Sequence, residues 1–366
     1  MADEKISDDT AANAGSNETK KHIDRLKIAG VILTIFGVSL FIYFGLSVGF
    51  GTIAEGIKDF GVVGFAVILC IHFCRITIRA AAWDLSVHEP YELTLRHSVP
   101  AVIIGEAMSS MVPLGILVSG TSKAVAVRKK IPLIGGLSSV ATENLFYSFT
   151  TSIFLIVGAL VFVRTFQVDE AWRVTIDGII TAIGATLVFL TLLVVRQWHF
   201  ASEICGWLYN RGVLTGILEK GRYQVRLFEN LIYDFYRRYP SRFLPIIVLE
   251  FAYHALGVAE VWFVLSRISA DGTLLNAFLL ESVSRLVTIV FKFVPFLVGV
   301  DEAGANFVAE TIGMAVGVGV TLAIIRKGRI VFWALVGVAL IIKRGLTLGH
   351  FVRAAKKAAA RPSAKE

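Results

Sequence analysis

The sequence predicts an all-α polytopic membrane protein of about eight transmembrane helices, with one or two re-entrant broken segments and an internal repeat. Three observations carry that expectation. The mean hydropathy is +0.71 and only 17% of the residues are charged, far more apolar surface than a soluble domain buries. Apolar runs of about twenty residues recur along the chain, the length that crosses a bilayer as helix. Two of these runs, MSSMVPLGILVSGTSK (108–123) and FKFVPFLVGVDEAG (291–304), hold a proline, a glycine soon after it, and charge close by.

The elements follow in order. Residues 1–27 are polar and rich in small side chains, without the apolar core and cleavage site of a signal peptide, and are expected to form a disordered cytoplasmic tail. A transmembrane domain is expected over 28–350, with spans near 28–50, 60–82, 133–163, 174–195, 243–267, 274–292, 303–325 and 329–350. The segment 98–120 is apolar too, but Arg79 and Arg96 stand before it and Lys123, Arg128, Lys129 and Lys130 after it. Basic flanks on both sides mark one membrane face, so this piece should enter and return, breaking at Pro113 and Gly115. Eight crossings place both termini in the cytoplasm, with Arg326, Lys327 and Arg329 in an outer loop against the weight of charge elsewhere. The basic connection 196–242 then lies inside, as does a basic tail over 351–366. Within the connection, Val225, Leu227, Phe228, Leu231, Ile232 and Phe235 form an apolar helical stripe, expected to pack under the bundle or to meet anionic lipid. Cys70, Cys74 and Cys205 are expected as free thiols, the first two buried.

The net charge of +8 does not point to nucleic acid, because the basic residues flank hydrophobic runs where they set topology. Ionisable groups inside apolar runs are the better signal, since each costs about 2.5–3.5 kcal/mol on insertion scales. Glu106 and Lys123 flank the first break, and Glu143 lies within the next helix. Glu281 and Arg285 are one turn apart and can pair. Glu250 and His254 share that spacing and are expected to be a hydrogen-bonded pair rather than half of a metal site. His72, Arg75 and Arg79 are expected to end their helix at the membrane interface, and Lys292 to end its own. Asp301 and Glu302, just after Pro295 and Gly299, suit the N-terminus of the next helix, whose dipole favours anions. Paired Gly/Pro breaks in two halves of a transporter mark a substrate site. Lys123 is expected to face Asp301 or Glu302 across one cavity shared by both breaks.

These residues carry a family resemblance. Pro113, Gly120, Lys123 and Glu143, followed by Pro295, Gly299, Glu302, Gly313 and Arg326, resemble the two signatures of the lysylphosphatidylglycerol synthase transmembrane-region family, flippase-like integral membrane proteins. Phe296 and Leu297 stand where that family has glycines, and Lys123 where arginine is commoner. The chain ends at Glu366 without room for the soluble aminoacyltransferase domain of some members, so the resemblance implies the membrane module alone. It implies a module that moves or handles lipids and lipid-linked glycans. The leading expectation is a lipid or lipid-linked glycan translocase of the bacterial inner membrane, and the breaks and intramembrane charges put Glu106, Pro113, Lys123, Glu143, Glu281, Arg285, Pro295, Gly299, Asp301 and Glu302 at its headgroup site. The alternative is a subunit or enzyme of lipid modification, or an assembly factor for envelope lipid synthesis. The glycines of GVVGFAVIL (61–69) lack the Lys-Ser/Thr end of a phosphate loop, and no nucleophile–base pattern or metal set stands out. Catalytic residues, cofactor and metal are therefore not expected. The expected partners are the membrane and a phospholipid or lipid-linked substrate, with a second copy or an envelope-synthesis protein as a further candidate.

Overall fold

The computed structural model describes residues 50–111, 115–211, 215–290 and 298–344. The expected span 28–50 lies almost wholly outside the described residues, as do Pro113, Lys292 and Pro295. Every regular element described is helical: α1 (Phe50–Leu85), α2 (Leu95–Met111), α3 (Gly115–Ala126), α4 (Leu133–Thr165), α5 (Glu170–Arg196), α6 (Phe200–Asn210), α7 (Thr215–Arg238), α8 (Phe243–Ile268), α9 (Leu274–Val290), α10 (Val300–Thr311) and α11 (Val318–Lys343). Among the described residues, four stretches are long and apolar enough to cross a membrane: Ile57–Leu85, Leu133–Thr165, Glu170–Arg196 and Pro240–Ile268.

The segment around Pro113 is a helical hairpin. A Cβ at Gly105 would lie 2.8 Å from Lys123 Cγ and 3.1 Å from Ser119 Oγ, so α2 and α3 run antiparallel in close contact. Both feet stand at one end of the bundle: Ser98 donates to Asp84 at the foot of α1 (3.0 Å), and Arg344 at the foot of α11 reaches the Ala126 carbonyl (3.5 Å). The second half repeats the plan from the other end. Here the expected spans 303–325 and 329–350 are replaced by α10, a turn, and one long helix α11. The charges that looked like an outer loop, Arg326, Lys327 and Arg329, lie inside α11, with Arg329 buried. Hydropathy alone takes three close charges for a loop; partners on other helices keep them helical.

The two hairpins match in length. α2 and α9 each have 17 residues, α3 and α10 each 12, or roughly 25 Å and 18 Å of helix, short of the hydrocarbon thickness. Each hairpin packs on the other half's last helix, α2 on α11 and α9 on α4, while α1 packs along α8. Arg242, just before α8, donates to the carbonyls of Leu85 (3.4 Å) and Val87 (2.8 Å) at the end of α1, so α1 and α8 are antiparallel and the two halves have inverted topology. Matching glycines allow the cross-packing. A Cβ at Gly337 would lie 2.4 Å from Ala107, and one at Gly158 would lie 2.0 Å from Ser282 Oγ.

Two apolar cores result. One joins Phe60 and Ile68 to the far halves of α4 and α8 and to α9, α10 and the start of α11. The other joins Ile76, Ala80 and Trp83 to α2 and Val140. Between them lies a polar band. α6 and α7 form a hairpin at the foot of the bundle, where Phe235 of α7 is buried with Ala82, Phe146 and Ile246. The stripe of α7 therefore packs under the bundle in its second part, while Leu227 stays exposed. Cys70 and Cys74 are free but exposed, because the opposite face of α1 carries His72, Arg75 and Ile76 inward.

Candidate functional site: a buried charged band

The band is built from side chains that α1–α4 and α8–α11 carry at the level between the two cores. α1 supplies His72, Arg75 and Arg79, spaced at three and four residues and so aligned on one face. They do not end the helix, which continues to Leu85. His72 Nε2 lies 3.2 Å from Glu106 of α2. Arg79 donates to Glu143 (2.8 Å) and Asn144 (3.0 Å) of α4, with its guanidinium 4.0 Å over the Tyr147 ring. Lys123 of α3 is 3.6 Å from the other oxygen of Glu143.

The second half of the band is denser. Glu281 of α9 meets three arginines: Arg285 by a hydrogen bond, Arg326 at 2.8 Å and Arg75 at 3.6 Å. Gly257 on α8 makes the room, since a Cβ there would lie 2.7 Å from Glu281 Oε1 and 3.1 Å from an Arg75 nitrogen. Glu260 of α8 accepts from Arg75 (3.2 Å) and receives both its oxygens' bonds from Arg329. Lys327 pairs with Glu302, whose other oxygen accepts from the Gly299 amide (2.8 Å), half of a capping box at the start of α10. Gly299 adopts φ 80°, the left-handed turn that lets the chain enter α10 after the break. Asp301 is also buried and acts electrostatically on Arg326. Tyr147 ties the halves together: it takes a bond from Arg285 (3.3 Å) and carries Arg79 on its face.

The family profile of the lysylphosphatidylglycerol synthase TM region matches residues 27–339, a range that holds both hairpins and the whole band. The chain belongs to this family. No curated protein and no solved structure matches it. Family membership makes it a membrane protein of lipid modification or transport.

Of the expected site residues, the structure draws Glu106, Lys123, Glu143, Glu281, Arg285, Gly299, Asp301 and Glu302 into the band. Pro113 and Pro295 lie outside the described residues. Lys123 does not face Asp301 or Glu302; it pairs with Glu143, and Glu302 pairs with Lys327. Each hairpin's returning helix thus bonds the long helix that follows it, with the charges exchanged between halves. Arg326 stands within the last helix of the family region rather than before it. Glu250 and His254 do not bond to each other: His254 Nε2 lies 3.1 Å from Thr151 Oγ1, and neither Glu250 oxygen has a partner. Sequence reasoning missed Arg75, Arg79, Glu260 and Arg329 as members of the band. For the α1 arginines the signal was present in their shared helical face. For Glu260 the signal was an acid inside the apolar run 243–267, but its partners were not legible, because both come from distant helices.

Proposed function

We propose that this family member moves an anionic lipid, or a lipid-linked glycan, between the leaflets of a bacterial cytoplasmic membrane, taking the headgroup through the charged band. The observation that carries this reading is the junction of the band with an apolar groove. The groove, about 220 Å³, lies between α4, α5, α7 and α8 and is lined by Leu145, Phe146, Phe149, Leu190, Tyr236 and Ile247, among others. Phe146 is three residues from Glu143, and Ile247 three from Glu250, so groove and band share two helix faces. The groove's outer wall, α5, has only Ile176 buried and otherwise presents its apolar side chains to the surroundings. A lipid fits this pairing because it needs an oily slot for a chain beside a polar place for its headgroup. Within the band, Lys123 and Arg79 sit on Glu143, one helix turn from the groove's Phe146, and suit a phosphate. Arg285, Glu281, Asp301 and Glu302 frame the band's far side.

The orientation follows from charge. Arg128, Lys129, Lys130, Arg211, Arg237, Arg238 and Lys343 are exposed at the end that carries α6 and α7, together with the half-exposed Trp198 and Trp207. Basic residues with interfacial tryptophan mark a cytoplasmic membrane surface. The full chain in liposomes, with fluorescent phosphatidylglycerol and leaflet-selective quenching, tests the reading. Faster exchange of label than in empty liposomes is expected. Exchange equal to empty liposomes for both phosphatidylglycerol and a polyprenyl-phosphate sugar overturns it, and a donor-dependent modified lipid assigns an enzyme instead.

A further inference from the structure

Glu250 stands apart from the other carboxyls of the band. Its residue is fully buried, and neither carboxyl oxygen has a hydrogen-bond partner. The charged groups that face it are Arg79 of α1, Lys123 of α3 and Glu143 of α4. On its own helix the next turn carries His254, and the charges acting there are Arg75 and Arg79 of α1 with Glu281 and Arg285 of α9. Toward the foot of the bundle, Ile246, Ala82, Phe146 and Phe235 close it off with apolar surface.

The two cations near Glu250 are already committed. Arg79 bonds Glu143 and Asn144, and Lys123 pairs with Glu143. An ionised carboxylate without donors in such a place is costly, whereas the neutral acid is not. We propose that Glu250 is a proton-binding site, and that an external anion bound near Lys123 and Arg79 makes it hold its proton more tightly. The proton balance is simple: as pH rises the acid releases H⁺ to water, and the resulting carboxylate must share Arg79 and Lys123 with Glu143. When a phosphate arrives, the two negative charges repel, Glu250 takes a proton from water, and the phosphate replaces it. Anion and proton then bind together, one proton per negative charge, and each strengthens the other by the same factor. The anion-linked half of this proposal rests on the headgroup reading above; the proton site itself does not.

The test uses the full chain in nanodiscs of phosphatidylcholine, with and without phosphatidylglycerol as the anionic probe. The infrared C=O band of a protonated carboxyl is followed against pH. The band is expected in the native chain, absent in Glu250→Gln, retained at a shifted frequency in Glu250→Asp, and retained in Glu106→Gln. Phosphatidylglycerol is expected to move its midpoint upward by about one pH unit, a tenfold coupling. A band that survives Glu250→Gln, or no titrating band in the native chain, overturns the proton site. If Glu250→Gln does not fold, the Glu250→Asp frequency shift decides the same point. A band assigned to Glu250 that phosphatidylglycerol leaves unmoved overturns the linkage. Lipid exchange measured on the same protein separates the two failures: exchange with an unmoved band sinks only the linkage, and a titrating band without exchange sinks only the translocation reading.

Discussion

The two halves of the bundle share one plan and spend their charges differently. In α8–α11, Glu260, Glu281 and Glu302 are met closely. Glu281 has three arginines, Glu260 two, and Glu302 a lysine and a backbone amide. In α1–α4 the contacts are looser. Lys123 reaches Glu143 only at 3.6 Å, Glu106 has a histidine, and Glu250, lent by α8, has no hydrogen bond. Arginine suits the first task, since its planar fork holds several acceptors and keeps its charge, while lysine and histidine part from a partner more easily. On the function proposed above, the second half holds the inverted repeat together and the first exchanges with a substrate or a proton.

The sharpest way to break that comparison is Glu281→Gln. It leaves Arg75, Arg285 and Arg326 without their shared counter-ion in the interior, and loss of about 3–5 kcal/mol is expected by analogy with broken buried pairs. Denaturant titration of the purified protein in detergent reads it. Exchanging charges, Glu281→Arg with Arg285→Glu, is not expected to rescue folding, because the new arginine would face Arg75 and Arg326. Recovery by the double exchange would show that Glu281 and Arg285 form an isolated pair.

Smaller changes test the symmetry itself. Gly158→Ala and Gly337→Ala each drive a methyl into the partner half, against Ser282 and Ala107. Each is expected to cost about 1–3 kcal/mol by overpacking. Gly178→Ala on α5 meets nothing within 4 Å and is expected to stabilise slightly, by up to ~1 kcal/mol of helix propensity. If Gly158→Ala is harmless and Gly337→Ala is not, the two cross-contacts are not equivalent.

Lys123→Gln carries the functional side of the comparison. Arg79 still holds Glu143 at 2.8 Å, so the fold is expected to survive with a loss of roughly 1 kcal/mol. Lipid exchange is expected to fall about tenfold or more, the effect of losing one charge-assisted contact to phosphate. Unchanged exchange, with phosphatidylglycerol as the label, would remove Lys123 from the path.

Much of this was legible because breaks and basic flanks are local signals. Pro113 between Arg96 and Lys129 was enough to foresee a segment that returns to its own side. The second hairpin was harder. Its foot merges into α11 through Arg326, Lys327 and Arg329, which interrupt the apolar run as a loop would. What keeps them helical are Glu281, Glu302 and Glu260, placed on three other helices at sequence separations of 45, 25 and 69 residues. No window of sequence contains such a group and its partner together. Pairing Lys123 with Asp301 or Glu302 failed for a related reason: within each half the returning helix packs on the helix that follows it, so the nearest opposite charge is Glu143 for Lys123 and Lys327 for Glu302.

The smallest expected effect concerns the foot of the first half alone. His88 lies in the turn after α1, its ring 5.4 Å from Phe235 and 5.9 Å from Tyr239 of the α7 region. Burial among these rings holds its imidazole below the ordinary histidine range, with Arg238 and Arg242 adding to the effect. The folded state therefore favours neutral His88, while the unfolded chain takes up a proton near pH ~6.5. Its contribution to docking α7 is present above that pH and is lost as pH falls through the lower folded value. The turn 269–273, its counterpart between α8 and α9, holds no histidine. Hydrogen exchange read by mass spectrometry should then accelerate over 231–239 as pH falls below ~6.5, after correction for intrinsic rates, and stay level over 269–273. His88→Phe keeps a ring against Phe235 and removes the titration, so its profile is expected to be flat. Acceleration that persists in His88→Phe would place the pH response in another group at the foot, and the two halves would differ there by more than this one side chain.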